Sequence, residues 1–341
     1  MMATGFISDK SVWNLDLKSF PKNGSIEQKL RFLIRYAILA PSSHNTQPWK
    51  FRIDGNTIEI LIDFSGWLEI ADSDRRELYI SIGCALENLL VAGENTGFIT
   101  DVSLFPEPER DDLVAAVRFE MQNDVALNNS DVLFENIVRR RTNRQKYKLD
   151  SIPAGKIDQL RNQCMYESVH LDFITDKQII HELNDLLIKS DIELFSDYDY
   201  RRELGYWIGR GVFGTSWLVS KLGQLMVTFL DMGKKQAVKD SDLLLSSSHL
   251  AVISTDIDQP VSQVKSGQVF ERTALLASAV DISVHPMSQI LEVDGLKDQL
   301  TRLMPISGKY PQHLFRLGYS ESAKDHSPRK KIEDVIISAD F

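Results

Sequence analysis

Apolar residues recur at helical spacing at Leu30, Leu33, Ile34, Ala37 and Ile38, and the Ser25/Gln28 pair ahead of them has capping-box spacing, so a helix is expected from Ser25 to the break at Pro41. Past Trp49 the period changes to two. Phe51 and Ile53, a polar Asp54-Gly55-Asn56 turn, then Ile58, Ile60 and Ile62 predict a β-hairpin. A second helix is expected over Glu77 to Asn95, capped from Asp72 to Asp74. It is apolar on most faces, with Leu78, Ile82, Ala85, Leu86 and Leu89, so it should be buried on both sides. A strand is expected over Leu113 to Met121.

A polar connector, Asn128-Asn129-Ser130-Asp131, follows, and then a short helix that ends in Arg139-Arg140-Arg141-Thr142-Asn143-Arg144. The domain boundary falls at that connector, dividing the chain into a first half, residues 1–128, and a second, residues 129–341. The second half reads as a helix after Pro153, a strand Val169 to Ile174, a helix Lys177 to Lys189, a strand Leu250 to Thr255 and a long helix Gln263 to Val280. A related order therefore occurs twice. Aligning Gly83 with Gly267 also pairs Leu86 with Phe270 and Glu87 with Glu271, which suggests a duplication. Between about Asp191 and Asp240 lies a stretch without counterpart, rich in aromatics (Tyr198, Tyr200, Tyr206, Trp207, Phe213, Trp217) and glycines. It reads as an insertion that covers something.

Composition narrows the class. The 341 residues are 43% hydrophobic and 26% charged, as in a folded globular chain with room to bury a cofactor. A formal net charge of −9 argues against general attraction to nucleic acid or anionic membrane. Two cysteines, Cys84 and Cys164, lie in helix-like segments without metal-ligand spacing, which indicates neither a disulfide framework nor a zinc site. No basic-then-apolar leader opens the sequence and no apolar run reaches the ~20 residues of a membrane span, so the expected location is the cytoplasm.

The chemistry concentrates in four segments. Pro41-Ser42-Ser43-His44-Asn45-Thr46-Gln47-Pro48-Trp49 leaves the first helix with hydroxyls and amides on a backbone stiffened by two prolines. A helix cap and plain turn would use the same residue types. Arg140, Thr142 and Arg144 share one face if extended, so two guanidiniums and a hydroxyl can converge on one anion; a solvated charge run is the alternative. His285-Pro286-Met287-Ser288-Gln289 follows the long helix. Phe315-Arg316-Leu317-Gly318-Tyr319 and Ser327-Pro328-Arg329-Lys330-Lys331 close the chain.

Together these segments resemble the FMN-dependent nitroreductase family, in its Acg-type branch, over roughly Ser25 to Arg329. The resemblance implies an α+β, three-layer α/β/α nitroreductase fold, in two fused nitroreductase-like halves with pseudo-twofold symmetry and a helical lid insertion. It implies FMN contacts from Pro41, Ser42, Ser43 and Asn45 to the ribityl chain and ring edge, and from Arg140 and Thr142 to the phosphate and ribityl. Arg144 is implied near ring N1 and O2, the backbone of Met287 and Ser288 near N5, and Arg329 and Lys331 at the phosphate. The loop occurs only in the first half and the basic segment only after the connector, so one complete site and one FMN per chain are expected.

The implied activity is two-electron transfer from NAD(P)H through flavin N5, which needs no separate catalytic side chain, to a nitroaromatic or quinone-type acceptor. A lidded FMN-sequestering protein with little turnover would use the same residues. Fusion removes the need for a dimer, and a homodimer stays open. Gly209-x-Gly211-x-x-Gly214 matches the dinucleotide fingerprint literally, but charged and aromatic residues precede it instead of a core strand, so a flexible lid is expected there. His44 is expected in a structural or ring-edge role.

Overall fold

The computed structural model describes residues 10–122, 131–321 and 325–338. The elements in order are α1 Ile26–Ala37, β1 Trp49–Asp54, β2 Thr57–Ile62, α2 Arg76–Asn95, β3 Phe98–Leu104, β4 Leu113–Met121, α3 Val132–Ile137, α4 Ala154–Arg161 and β5 Val169–Ile174. Then come α5 Lys177–Ser196, α6 Tyr198–Gly209, α7 Trp217–Phe229, α8 Gly233–Leu245, β6 His249–Thr255, α9 Pro260–Ala279, β7 Ser283–Pro286, α10 Leu296–Leu303, β8 Tyr310–Gly318, α11 Ile332–Val335 and β9 Ile336–Ile337. The expected connector lies outside the described residues except for Asp131. No helix among the described residues is long and apolar enough to cross a membrane.

Local sequence explains most of these boundaries. The Ser25 hydroxyl accepts from Gln28 N–H while the Gln28 side chain accepts from Ser25 N–H, the reciprocal capping expected. At α2 the cap position is Arg75, in the left-handed region at φ 62°. Asp72 serves the helix end from farther back, accepting from Glu77 and Leu78 N–H at 2.8 Å each. Strand β3 escapes the sequence pattern because apolar Ile99 faces outward and Thr100 inward, which breaks the apolar alternation at its start. The helix expected to stop at Lys189 runs on to Ser196, so the insertion begins inside a helix and ends inside another, α8.

The strands form two sheets. One has the order β3-β4-β2-β1-β9; the other, read from its β7 end, is β7-β8-β6-β5. The first four strands of each, taken in sequence order, thus occupy the same places, and all neighbours among them are antiparallel. The architecture is α+β. In the second sheet Ala251, Ile253 and Phe315 pack with α9, while Leu250, Val252 and Leu314 pack with α5 and α10, giving helix, sheet and helix layers. The first sheet is covered on the α1 and α2 side, and β3 leaves alternate residues exposed on the other.

Helices α2 and α9 cross at the centre, and the crossing is reciprocal. A Cβ on Gly83 would lie 2.0 Å from the Val264 carbonyl oxygen, and one on Gly267 would lie 2.1 Å from that of Ile80. The two backbones touch, so only glycine fits at either position. This contact sets the register Gly83 to Gly267 in space as well as in sequence.

Candidate functional site

The loop after α1 is held in an unusual conformation. His44, Asn45 and Gln47 have φ of 47°, 56° and 53°, a left-handed geometry that costs non-glycine residues on the order of 1 kcal/mol or more each. Three anchors hold it there. Ser43 donates its hydroxyl to Glu77 at 2.9 Å and its N–H to Ser81 at 3.3 Å, both on α2. Asn45 donates to the carbonyls of Val212 and Pro328 at 2.8 and 2.9 Å and accepts from Arg329 at 2.8 Å. Gln47 accepts from Lys330 N–H at 2.7 Å, and Ser42 Oγ accepts from Gln47 N–H at 2.9 Å. The Asn45 amide is thus spent on joining the loop, the insertion and the C-terminal segment.

Beneath the loop is a small chamber of about 40 Å³, lined by Ser42, Asn45, Arg140, Arg141, Thr142 and Arg329 among others. Arg140 and Arg329 are 5% and 3% exposed; Nε of Arg140 faces a carboxylate, and Nε of Arg329 lacks a hydrogen-bond partner. Their counter-charge is Glu271, fully buried on α9 and 3.2 Å from Arg140 Nε. Burial pushes the Glu271 carboxyl up to about 7 against the pull of Arg140 and Arg329. Burial, then repulsion by Arg140, brings the Arg329 guanidinium down to about 9. His326 stacks on Trp13 at 3.9 Å at the chamber wall. Burial and then Arg141 and its neighbours depress His326 to about 4, so it is neutral at pH 7. The chamber holds an excess of desolvated positive charge, which suits a phosphate.

Pro41, Ser42, Thr142 and Arg144 also line a second cavity of about 630 Å³, so the two spaces adjoin. Ile80, Ser81 and Cys84 of α2 and Phe270 of α9 line it, with Leu204, Ile208, Phe213 and Val227 from the insertion. Arg144 lies under the Phe213 ring, 5.7 Å from its centroid, and burial lowers its pKa. Asp191, Asp240 and Glu292 also face this cavity. Burial raises all three, Asp191 to about 7 with help from Asp240 and Glu292 to about 8 with help from Glu77. Glu77 behaves oppositely: burial would raise it, but Arg76, His313 and Ser43 outweigh that and hold it well below the usual carboxylate range.

Most of the sequence-selected residues meet here, with informative exceptions. Pro41, Ser42, Ser43, Thr142, Arg144, Met287 and Ser288 line the large cavity, and Asn45, Arg140 and Arg329 the small one. The Met287 N–H donates to the Leu314 carbonyl at 2.8 Å, so the sheet consumes the amide expected at a ring nitrogen. Ser288 Oγ is held against His313 and Leu314. Lys331 is exposed and lines a separate groove beside Arg31 and Arg35. Its neighbour Lys330 is the residue tied to the loop, donating to the Gln47 carbonyl at 2.9 Å and pairing with Asp63 at 3.2 Å.

Cys84 lies buried on α2, where burial raises its thiol, whereas Cys164 lies beyond the end of α4; both are free. The Gly209–Gly214 run ends helix α6 and follows no strand, which removes the dinucleotide-fold context. Sequence reasoning missed Glu77, Trp13, His326 and Glu292. Glu77 carries the ordinary signal of a first-turn acid, and the others lie in segments without periodic pattern.

No protein-family model matches the sequence. The chain is 27% identical over 323 residues to "Putative NAD(P)H nitroreductase Rv3131" of Mycobacterium tuberculosis, covering 91% of each. It is 25% identical over 320 residues to "Putative NAD(P)H nitroreductase acg" of the same species, covering 90% of this chain and 95% of that one. Among solved structures, the FMN-dependent nitroreductase NfnB of Mycobacterium smegmatis, in complex with NADPH, superposes with a TM-score of 0.40 at 13% identity, over 60% of this chain and 96% of that one. The resemblance in the loop and arginine segments thus extends along nine-tenths of the sequence to proteins bearing the nitroreductase name.

Proposed function

We propose that this relative of the nitroreductases binds one FMN between its two sheets and passes two electrons from NAD(P)H to a nitroaromatic or quinone-type acceptor. The observation that carries the reading is the junction of a small cationic chamber with a large, mainly apolar-walled cavity through Pro41, Ser42, Thr142 and Arg144. FMN has that sequence of parts: a phosphate, a polyol and a flat ring. Arg140 and Arg329, which line the small chamber, would hold the phosphate; Ser42 and Thr142 would meet the polyol. The cationic lining of the small chamber suits a phosphate, and we read the flavin as FMN.

When bound, the flavin supplies hydride transfer at its ring. The protein supplies the surroundings. Arg144 is the cation best placed to balance charge gathered on a reduced ring, and the raised pKa values of Asp191 and Glu292 keep the cavity less negative than its composition suggests. Residues of α6 and α7 wall part of the cavity. The repeated strand order and the reciprocal Gly83–Gly267 crossing support two nitroreductase-like halves, 1–128 and 129–341, with the lid inserted at about 191–240.

The test is direct. The purified full chain should be yellow and release FMN on denaturation at close to one per chain, and anaerobic NADH or NADPH should bleach it. FAD in the supernatant, or two flavins per chain, overturns the single two-chamber site. Retained FMN that neither nicotinamide bleaches overturns electron transfer and leaves a flavin-holding protein.

A further inference from the structure

Helix α7 is amphipathic the wrong way round. Its side towards α6 is polar or small: Ser220 is buried, Thr228 would collide with a Cβ on Gly205, and Gln224 with one on Gly209. Its outward side is apolar. Trp217 is 72% exposed, Leu218 70%, Leu222 58%, Leu225 56%, Phe229 66% and Leu230 53%. A helix on a soluble surface normally shows the reverse arrangement.

The exposed residues are ordered. Leu218, Leu222, Leu225 and Phe229 follow a 4-3-4 spacing, the seam by which one helix receives another. With Val219 and Met226 the face presents on the order of 800 Å² of mostly apolar surface, which is what each partner of a stable complex buries and more than monomers ordinarily leave open. The face also matches itself. Turned antiparallel about its midpoint, Leu222 meets Leu225 of a second helix and Leu218 meets Phe229, as an isologous twofold contact requires. Lys221 is the single charged residue between Trp217 and Leu230, and the antiparallel arrangement keeps the two copies of it apart.

We propose that α7 is the docking helix for a second copy of this chain, pairing antiparallel with its own counterpart across a twofold axis. The same helix contributes Val227 to the large cavity, so the interface lies on the outside of the element that roofs the site. Pairing therefore braces the roof, and its opening depends on protein concentration.

Sedimentation velocity of the full chain from about 1 to 100 µM tests this. Wild type should approach twice the 38.8 kDa chain mass, and Leu222→Glu with Leu225→Glu should sediment as a monomer with unchanged circular dichroism. In a Cys164→Ser background, Leu218→Cys with Phe229→Cys should give a covalent dimer on mild oxidation, whereas either cysteine alone should not. A wild type monomeric throughout, a dimer that survives the glutamates, or cross-linking by Leu218→Cys alone overturns the antiparallel pair. Monomeric protein that floats with phosphatidylcholine vesicles overturns it in favour of a lipid surface.

Discussion

The two flanks of the α2–α9 crossing begin from the same geometry and end differently. The register Gly83 to Gly267 places Ser81 opposite Lys265, Cys84 opposite Gln268, and Glu87 opposite Glu271. On one flank the short Ser81 and Cys84 leave the 630 Å³ cavity. On the other, Lys265 lies over the Tyr166 ring at 5.1 Å, the Tyr166 hydroxyl donates to Gln268 at 2.8 Å, Gln268 donates to Glu87 at 3.2 Å, and Arg272 pairs with Glu87 at 2.7 Å. Glu87 has its charge balanced within a closed network. Glu271 instead faces Arg140 and Arg329, and burial lifts its carboxyl to about 7. One framework thus yields a packed polar seam where side chains are long and a charged, open one where they are short, and binding belongs to the flank that stayed unfilled.

The shared geometry breaks first at the glycines. Gly83→Ala and Gly267→Ala each drive a Cβ into backbone at about 2 Å, with nothing flexible to yield. Each should cost about 4 kcal/mol or more, and the two costs should match within about 1 kcal/mol if the crossing is mechanically twofold. Urea denaturation midpoints measure this. A large loss at one glycine beside a small loss at the other breaks the equivalence of the two flanks.

Next in size is an attempt to turn the open flank into the closed one. Cys84→Gln imports the residue of the opposite position into the cavity wall and should lower FMN affinity about 100-fold or more while leaving the fold intact. Gln268→Cys should leave FMN affinity within about twofold. Fluorescence titration of the flavin-free protein reads both. Unchanged FMN binding in Cys84→Gln would mean that the ring does not lie against α2 at all.

Much of this was legible in the sequence, and what escaped has a physical pattern. Ser25, Gln28 and the alternating isoleucines of the hairpin act locally, so their elements follow from spacing. The loop Pro41–Asn45 and the segment Arg140–Arg144 were recognisable because prolines, amides and paired guanidiniums are chemically specific. What escaped depends on partners distant in sequence. Lys331 was expected at the phosphate but lines a separate groove, while Lys330 turns inward to the Gln47 carbonyl and Asp63. The Met287 amide looked available until β8 supplied the Leu314 carbonyl. Asn45 reads as a ligand donor, yet its three hydrogen bonds go to protein. The reversed face of α7 was visible only as a concentration of aromatics, since the sequence does not say which side α6 covers.

The arginines offer a finer comparison of the flanks. Arg329→Ala should weaken FMN binding by about 2–3 kcal/mol through lost charge-assisted contacts, with Arg140→Ala close behind. The exposed Arg139 is the control and should change affinity by less than about twofold. Arg272→Ala on the closed flank should reduce stability without touching FMN affinity. A smaller effect follows from Glu271. Its folded pKa, about 7, lies above the ordinary carboxylate value of 4.5, so the folded state holds the extra proton and stability declines as pH rises from about 4.5 through 7. Ionisation also opposes a bound phosphate. FMN affinity should fall several-fold between pH 6.5 and 8.5 in wild type and hold steady in Glu271→Gln; parallel profiles would show that the open flank does not feel this carboxylate.

His44 sharpens the comparison by the smallest effect. It lines the cavity, its Nδ1 has no partner, and burial followed by Arg144 lowers its pKa from 6.5 to about 4. The imidazole is therefore neutral through the physiological range. Because the unfolded chain takes up the proton near 6.5 and the folded one only near 4, its share of stability is complete above pH 6.5 and is lost as pH falls towards 4. Between pH 6 and 8 it has no proton to give or take, so the imidazole is not an acid or base of the open flank. His44→Asn, which tolerates the left-handed backbone at φ 47°, should leave the anaerobic rate of flavin reduction by NADPH within about twofold of wild type, with a pH profile parallel to that of wild type across that interval. A wild-type rate that titrates near 6.5, and loses that titration in His44→Asn, would place a working acid or base in the cavity that the packed flank has no means to match.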